Sequence, residues 1–327
     1  MKGKQELKIP TPRHLLSTPT AAISRSSTAM TPNSPTGAAA AVNNKYKLHG
    51  MMFKYGPKPI QVAFKIGNFK QQVVFVGGFR EGILATEYLE PLAIALEKEH
   101  WSLVQFLFSS SYNGYGVSTL KQDANELDQL ISYLIDNEDS HGVILLGHSH
   151  GCQDIVFYLD SNAAWSRAVR AVILQAPISD REHFQETGSM IDLAATMINQ
   201  GRPHDFMPRK AHPHAPITAY RYHSLCTRNG EDDMFSSDLS DEELKEKLGH
   251  MSNTPTLVVF SMADEHVPQH VNKQDFGGRL CRALGGAEMV EIESGNHSLS
   301  DWIKEAVQAI MEFVKRDGLK GCEDPWS

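Results

Sequence analysis

Ser149, Asp264 and His297 are a hydroxyl, a carboxylate and an imidazole in that chain order. A serine hydroxyl holds its proton too firmly at neutral pH to attack a carbonyl unaided, so acyl-transfer chemistry needs a base beside it and an acid that orients the base. Ser149 is centred in Gly147-His148-Ser149-His150-Gly151, directly after the apolar run Val143-Ile144-Leu145-Leu146 and ahead of a segment that reads as a helix. Strand, sharp turn and helix is the setting of a nucleophile elbow, where small residues two positions on either side permit the turn that exposes the hydroxyl. With 24 glycines in 327 residues the bare pattern arises by chance in about one such chain in seven, so the setting and the partners must carry the argument. Asp264 follows the β-branched run Thr256-Leu257-Val258-Val259-Phe260, and His297 sits in Ser294-Gly295-Asn296-His297-Ser298 after the alternating Met289-Val290-Glu291-Ile292-Glu293. Each of the three thus lies at the carboxyl end of a predicted strand.

The oxyanion formed during attack needs two donors. One is expected from the backbone amide of His150, the residue after the nucleophile. The other is expected from the loop Gly77-Gly78-Phe79-Arg80-Glu81-Gly82, which follows the strand Val73-Val76: the Phe79 amide first, the Gly78 amide second. An ordinary strand-ending turn is the plain alternative for this loop. Asp180 is a rival acid, since it follows the strand after the elbow, whereas Glu265 and Glu293 read as solvated or supporting groups. Candidate pocket residues are Arg80 and His148, Tyr112 with Tyr115 in the stretch 109–116, which otherwise reads as an ordinary Gly-rich loop, and Met190 and Met234. The two methionines equally suit packing within an insertion. His204, Asp205, His212 and His214 lack helical ligand spacing, so no metal is expected, and the chemistry requires no organic cofactor.

These groups need elements to position them. From Lys45 onward strands and helices alternate: strands at 60–66, 72–76, 101–108 and 169–174, helices at 87–99, 121–135 and about 300–315. The alternation predicts an α/β fold, a mostly parallel sheet with helices on both faces, and the chain order Ser, Asp, His is that of the α/β-hydrolase triad. Between about 178 and 252 the rhythm fails, through a helical stretch at 190–200, a Pro- and His-rich run, and Ser240 with Glu243 in a capping-box pattern. An insertion of this length at this point reads as a cap over the site. Residues 1–44 are rich in Ser, Thr, Ala and Pro, with Glu6 the single acid. This composition fits a disordered tail or a transit segment.

A net charge of −8 argues against a nucleic-acid-backbone binder, and no apolar run is long enough to span a bilayer. The four scattered cysteines suit a reducing compartment, which places the protein in the cytoplasm, or in a plastid if the first 44 residues are a transit segment. Oligomeric state has no signature in the sequence.

The runs Gly77-Gly78, Ser109-Ser110-Ser111-Tyr112, Gly147 to Asp154, Asp233-Met234-Phe235-Ser236-Ser237-Asp238-Leu239-Ser240 and Ser261-Met262-Ala263-Asp264-Glu265 resemble the hydrolase family labelled DUF1749 (UPF0613-like), and the chain looks like a plant-type member. The likeness covers nearly everything after about Lys45. It implies esterase chemistry, because the fungal branch of that family includes siderophore esterases acting on fusarinine-type ester bonds. One departure is His150, where the family pattern leads one to expect Thr or another small residue. The combined expectation is a serine hydrolase cleaving an ester or related acyl bond of a small molecule through an acyl-enzyme. A lyase or cyclase of the same fold and a receptor-like ligand-binding protein are the competing readings.

Overall fold

The computed structural model describes residues 47–184 and 188–318. The expected tail or transit segment, 1–44, lies outside them. Eight strands form one sheet: β1 (Gly50–Lys54), β2 (Val62–Ile66), β3 (Gln71–Val76), β4 (Trp101–Phe106), β5 (Val143–His148), β6 (Val169–Gln175), β7 (Thr256–Ser261) and β8 (Glu288–Ile292). Their spatial order is β1-β2-β4-β3-β5-β6-β7-β8. β1 and β2 run antiparallel to their neighbours and all later pairs are parallel.

Alternation along the central strands explains the two layers of core. Val74, Val76, Val143, Leu145, Val172 and Leu174 face one side, while Val73, Phe75, Ile144, Leu146, Ala171 and Ile173 face the other. Every one of them is buried, as a parallel sheet covered on both faces requires. The first side is covered by α2 (Leu120–Glu138), α3 (Gly151–Asp160) and α8 (Lys273–Ala283), through residues such as Leu127, Leu130, Ile131, Ile155, Phe276 and Leu280. The second is covered by α1 (Leu89–Lys98) and α9 (Ile303–Asp317), through Leu89, Leu92, Leu96, Ile310, Phe313 and Val314.

The insertion between β6 and β7 holds α4 (Asp180–Phe184), α5 (Gly188–Asn199), α6 (Ala219–Cys226) and α7 (Asp241–Leu248). It divides into two parts with different packing. Met197, Met207, Ile217, Tyr222 and Leu225 make a small apolar core shared by α5 and α6. From Met234 onward the chain instead joins the main core through Phe235, Leu239, Leu244, Leu248 and Met251. The capping box of α7 is present: the Ser240 hydroxyl accepts from the Glu243 amide while the Glu243 carboxylate accepts from the Ser240 amide. No helix among the described residues is long and apolar enough to cross a membrane.

The start of α3 is the tightest point of this packing. A Cβ on Gly151 would stand 2.1 Å from the Val76 carbonyl oxygen of the neighbouring strand. Gly151→Ala therefore forces β3 and α3 apart and is expected to cost about 1–3 kcal/mol. Gly249→Ala adds a Cβ whose nearest neighbour is Lys245 Cγ at 3.7 Å. Calorimetry should show a melting temperature lowered by several degrees for the first and little changed for the second. Equal shifts would remove the close-approach argument.

Candidate active site

The carboxyl ends of β3, β5, β6, β7 and β8 converge on a cavity of about 350 Å³. Ser149 lines it from the turn between β5 and α3, with φ at 53°, a left-handed value that an L-residue adopts at a cost. The turn is held from β6, where the Gln175 carbonyl accepts the Ser149 amide at 3.0 Å.

His297 enters from the loop after β8. Its amide is donated to the Glu265 carboxylate at 2.9 Å and its carbonyl accepts from Gln175 Nε2 at 2.9 Å, so the backbone is fixed on both sides. Its Nδ1 lies 2.8 Å from Asp264 Oδ2. Burial by itself would raise the Asp264 carboxyl, but the hydrogen bond and charge of His297 outweigh it and hold the group below its ordinary value. Asp264 is thus an ionised acceptor, Nδ1 carries the proton, and Nε2 is left as the basic nitrogen. Asp180, the rival acid, is turned elsewhere: its Oδ2 accepts from His150 Nδ1 at 2.7 Å and from Gln153 Nε2 at 2.9 Å.

Opposite Ser149, the loop after β3 passes so close that a Cβ on Gly78 would lie 2.8 Å from the serine Cβ. The Gly78 amide is already donated to the Glu81 carboxylate at 2.6 Å, which leaves the Phe79 amide as the next donor along the loop. Glu81 also holds His148 Nδ1, at 2.9 Å. In this pair burial opposes both charges, yet mutual attraction wins, with Glu81 lowered and His148 raised from their ordinary values.

Of the pocket residues expected from the sequence, Arg80 and Tyr115 line the cavity, and His148, Tyr112, Met190 and Met234 do not. His148 is buried beneath the turn with Glu81 and the His297 carbonyl. Tyr112 is about half exposed and packs over Gly82. Met190 packs against the small core of α5 and α6, and Met234 belongs to the main core. The remaining walls come from Phe79, Ile178, Phe184 and a set of imidazoles the sequence did not single out, His183 and His266, joined by His212 and His214. The His266 ring stands edge-on to His297 at 4.4 Å and to His183 at 4.3 Å between centroids. Both outer rings, His183 and His266, are pushed below their ordinary value, by burial first and then by neighbouring imidazoles.

Behind the loop after β3 lies a group that sequence reasoning missed. Arg221 of α6 is fully buried, with Nη1 2.6 Å from Asp232 Oδ1, Nε donated to the Tyr115 carbonyl at 3.0 Å and Nη2 3.0 Å from His150 Nε2. His150, Asp180 and Asp232 have ligand atoms close enough to share a cation, and the Arg221 guanidinium already bonds two of the three.

The family model described as "Protein of unknown function (DUF1749)" matches residues 36–317. A UPF0613 protein of Schizosaccharomyces pombe is 30% identical over 270 residues, 76% of this chain and 83% of the relative. Fusarinine C esterase sidJ of Aspergillus fumigatus is 30% identical over 293 residues, 70% of this chain and 83% of the relative. Among solved structures, the siderophore hydrolase EstB from Aspergillus fumigatus matches with a TM-score of 0.70 at 27% identity, over 83% of this chain and 98% of that one. A protein described as an alpha/beta hydrolase fold of unknown function matches at 0.64 and 20% identity, over 86% and 99%. The fold is that of the α/β hydrolases, and with nearly its whole described length matched, the chain belongs to the DUF1749 family.

Proposed function

We propose that this protein, a carboxylic-ester hydrolase, cleaves its substrate by acyl transfer through Ser149, with His297 as the base and Asp264 as the acid that orients it. The observation that carries this reading is the 2.8 Å bond from His297 Nδ1 to an ionised Asp264, on the wall of the same cavity that the strained Ser149 lines. His297 Nε2 takes the Ser149 proton as the hydroxyl attacks the ester carbonyl. The oxyanion is held by the Phe79 and His150 amides, and the protonated imidazole then hands its proton to the departing alcohol. Water activated by His297 releases the acid and restores the serine. The Gly78 amide supports the hole indirectly, by tying its loop to Glu81.

The substrate is a small-molecule ester that fits against the insertion where α4 and the segment between α5 and α6 line the cavity. The relatives named for fusarinine C and siderophores make hydroxamate-type esters the first class to assay.

A fluorophosphonate should label the protein on Ser149, and Ser149→Ala should remove the label without unfolding. Asp264→Asn presents a donor to an imidazole that needs an acceptor, and turnover should fall by about 10³–10⁴ fold. Asp180→Asn keeps an oxygen for His150 and should lose less than about tenfold. An adduct elsewhere on folded protein, or the reverse pattern of losses, would overturn the assignment of roles.

The Glu81–His148 pair sets a pH dependence of stability. Glu81, lowered in the fold, stabilises above its ordinary value of 4.5 and loses this as pH falls through the folded value. His148, raised in the fold, stabilises below its ordinary 6.5 and loses this as pH rises through the folded value. Glu81→Gln should therefore cost about 1–3 kcal/mol near pH 5.5 and clearly less at pH 9, as read by urea unfolding. A loss that grows with pH would contradict the pairing.

A further inference from the structure

His150 is buried directly after Ser149, and both nitrogens of its imidazole are engaged. Arginine only donates, so the contact from Arg221 Nη2 makes His150 Nε2 an acceptor. Nδ1 then carries the single ring proton and gives it to Asp180 Oδ2 at 2.7 Å. The ring is consequently neutral, and burial together with the Arg221 charge pushes its pKa down to about 3. Fixed at both nitrogens, it lies against the Phe79 ring with centroids 4.0 Å apart and planes within 19°. Arg221 Cζ stands 5.7 Å from the centroid of the same phenyl ring.

Phe79 and His150 are the two residues whose amides the reading above places around the oxyanion. They come from different loops, 71 positions apart in the chain. The His150 amide is set by the rigid elbow. The Phe79 amide belongs to a loop that contains two further left-handed residues, Arg80 at 66° and Leu84 at 59°, and that is braced on one side by Glu81, while the Phe79 ring is held from outside the loop by His150.

We infer that the His150 side chain is the positioning residue of the oxyanion hole: clamped between Asp180 and Arg221, it holds Phe79 by ring stacking and so fixes the spacing of the two donor amides. This rests on the acyl-transfer reading. It touches no reacting atom, and its contribution appears only when negative charge develops on the substrate oxygen, because a donor misplaced by about 1 Å loses most of its effect on the transition state while ground-state binding is little altered.

An ester and its thionoester, in which the carbonyl oxygen is replaced by sulfur, separate this role from a purely structural one. Sulfur is a larger and poorer acceptor, so the oxygen-to-sulfur ratio of kcat reports the quality of the hole. In the full-length protein, His150→Ala and Phe79→Leu should each lower kcat on the oxygen ester by about 10–100 fold with KM little changed, and should lower the ratio in step. Phe79→Leu leaves every buried charge paired, so it carries the test if His150→Ala does not fold. Phe79→Tyr keeps a ring on the stack and should restore the ratio. A folded Phe79→Leu protein with an unchanged ratio would overturn the inference, as would losses confined to KM. Wild-type protein that hydrolyses neither ester and takes no phosphonate would instead overturn the hydrolase mechanism, and this inference with it.

Discussion

The left-handed backbone of Ser149 is the constraint on which the site depends. An L-residue at φ 53° costs of order 1–2 kcal/mol, and the surrounding structure must over-determine it. It does so from three sides. The Gln175 carbonyl holds the serine amide, Gly78 lets the loop after β3 pass against the serine side chain, and Gly151 lets α3 start in contact with β3. The same turn places Ser149 on the wall of the cavity that His297 also lines from the loop after β8, with Asp264, in the loop after β7, bonded to His297.

Behind that turn the protein keeps a cluster of charge out of water. Asp123, Asp154, Asp180 and Asp232 are all buried around the one guanidinium of Arg221. A single positive charge cannot compensate four carboxylates, and burial raises three of them, Asp123 and Asp180 to about 7 and Asp154 well above its ordinary value. The cluster holds on to protons and so approaches neutrality. Such a group contributes little net stability compared with apolar packing, but removing one member leaves the others uncompensated. Its geometry is directed: two of its contacts end on the ring of His150.

Much of this was legible in the sequence because strong local patterns coincide with tertiary roles. The central strands announce themselves as apolar β-branched runs, since both of their faces are covered, and the three loops that follow β5, β7 and β8 carry Ser149, Asp264 and His297 shortly after runs already recognisable as strands. Strand β1 gave no such signal. It lies at the sheet edge with four of its five residues exposed, so neither face had to be apolar. The pocket walls were misread for a related reason. Met190 and Met234 were chosen for being soft and apolar, yet that character serves burial equally well, and Met234 packs into the main core. Arg221 was invisible because a charged residue within a short helix reads as solvent-facing, and its partners at 115, 150 and 232 are brought to it by topology alone. Part of the run that carries the family resemblance serves the same architecture: Asp233 binds Arg181 and the Asn229 amide, joining the start of the insertion to its later half.

The stack of Phe79 on His150 also has a hereditary side. Three chain segments separated by about 70 residues each contribute one side chain to it, Phe79, His150 and Arg221, and each is set against the other two. A lineage that places a small residue after Ser149 loses the acceptor for the second guanidinium nitrogen and the flat surface for the phenyl ring in the same event. The three positions should therefore be inherited as a set, so that a substitution at one opens the way to changes at the others and closes the way back.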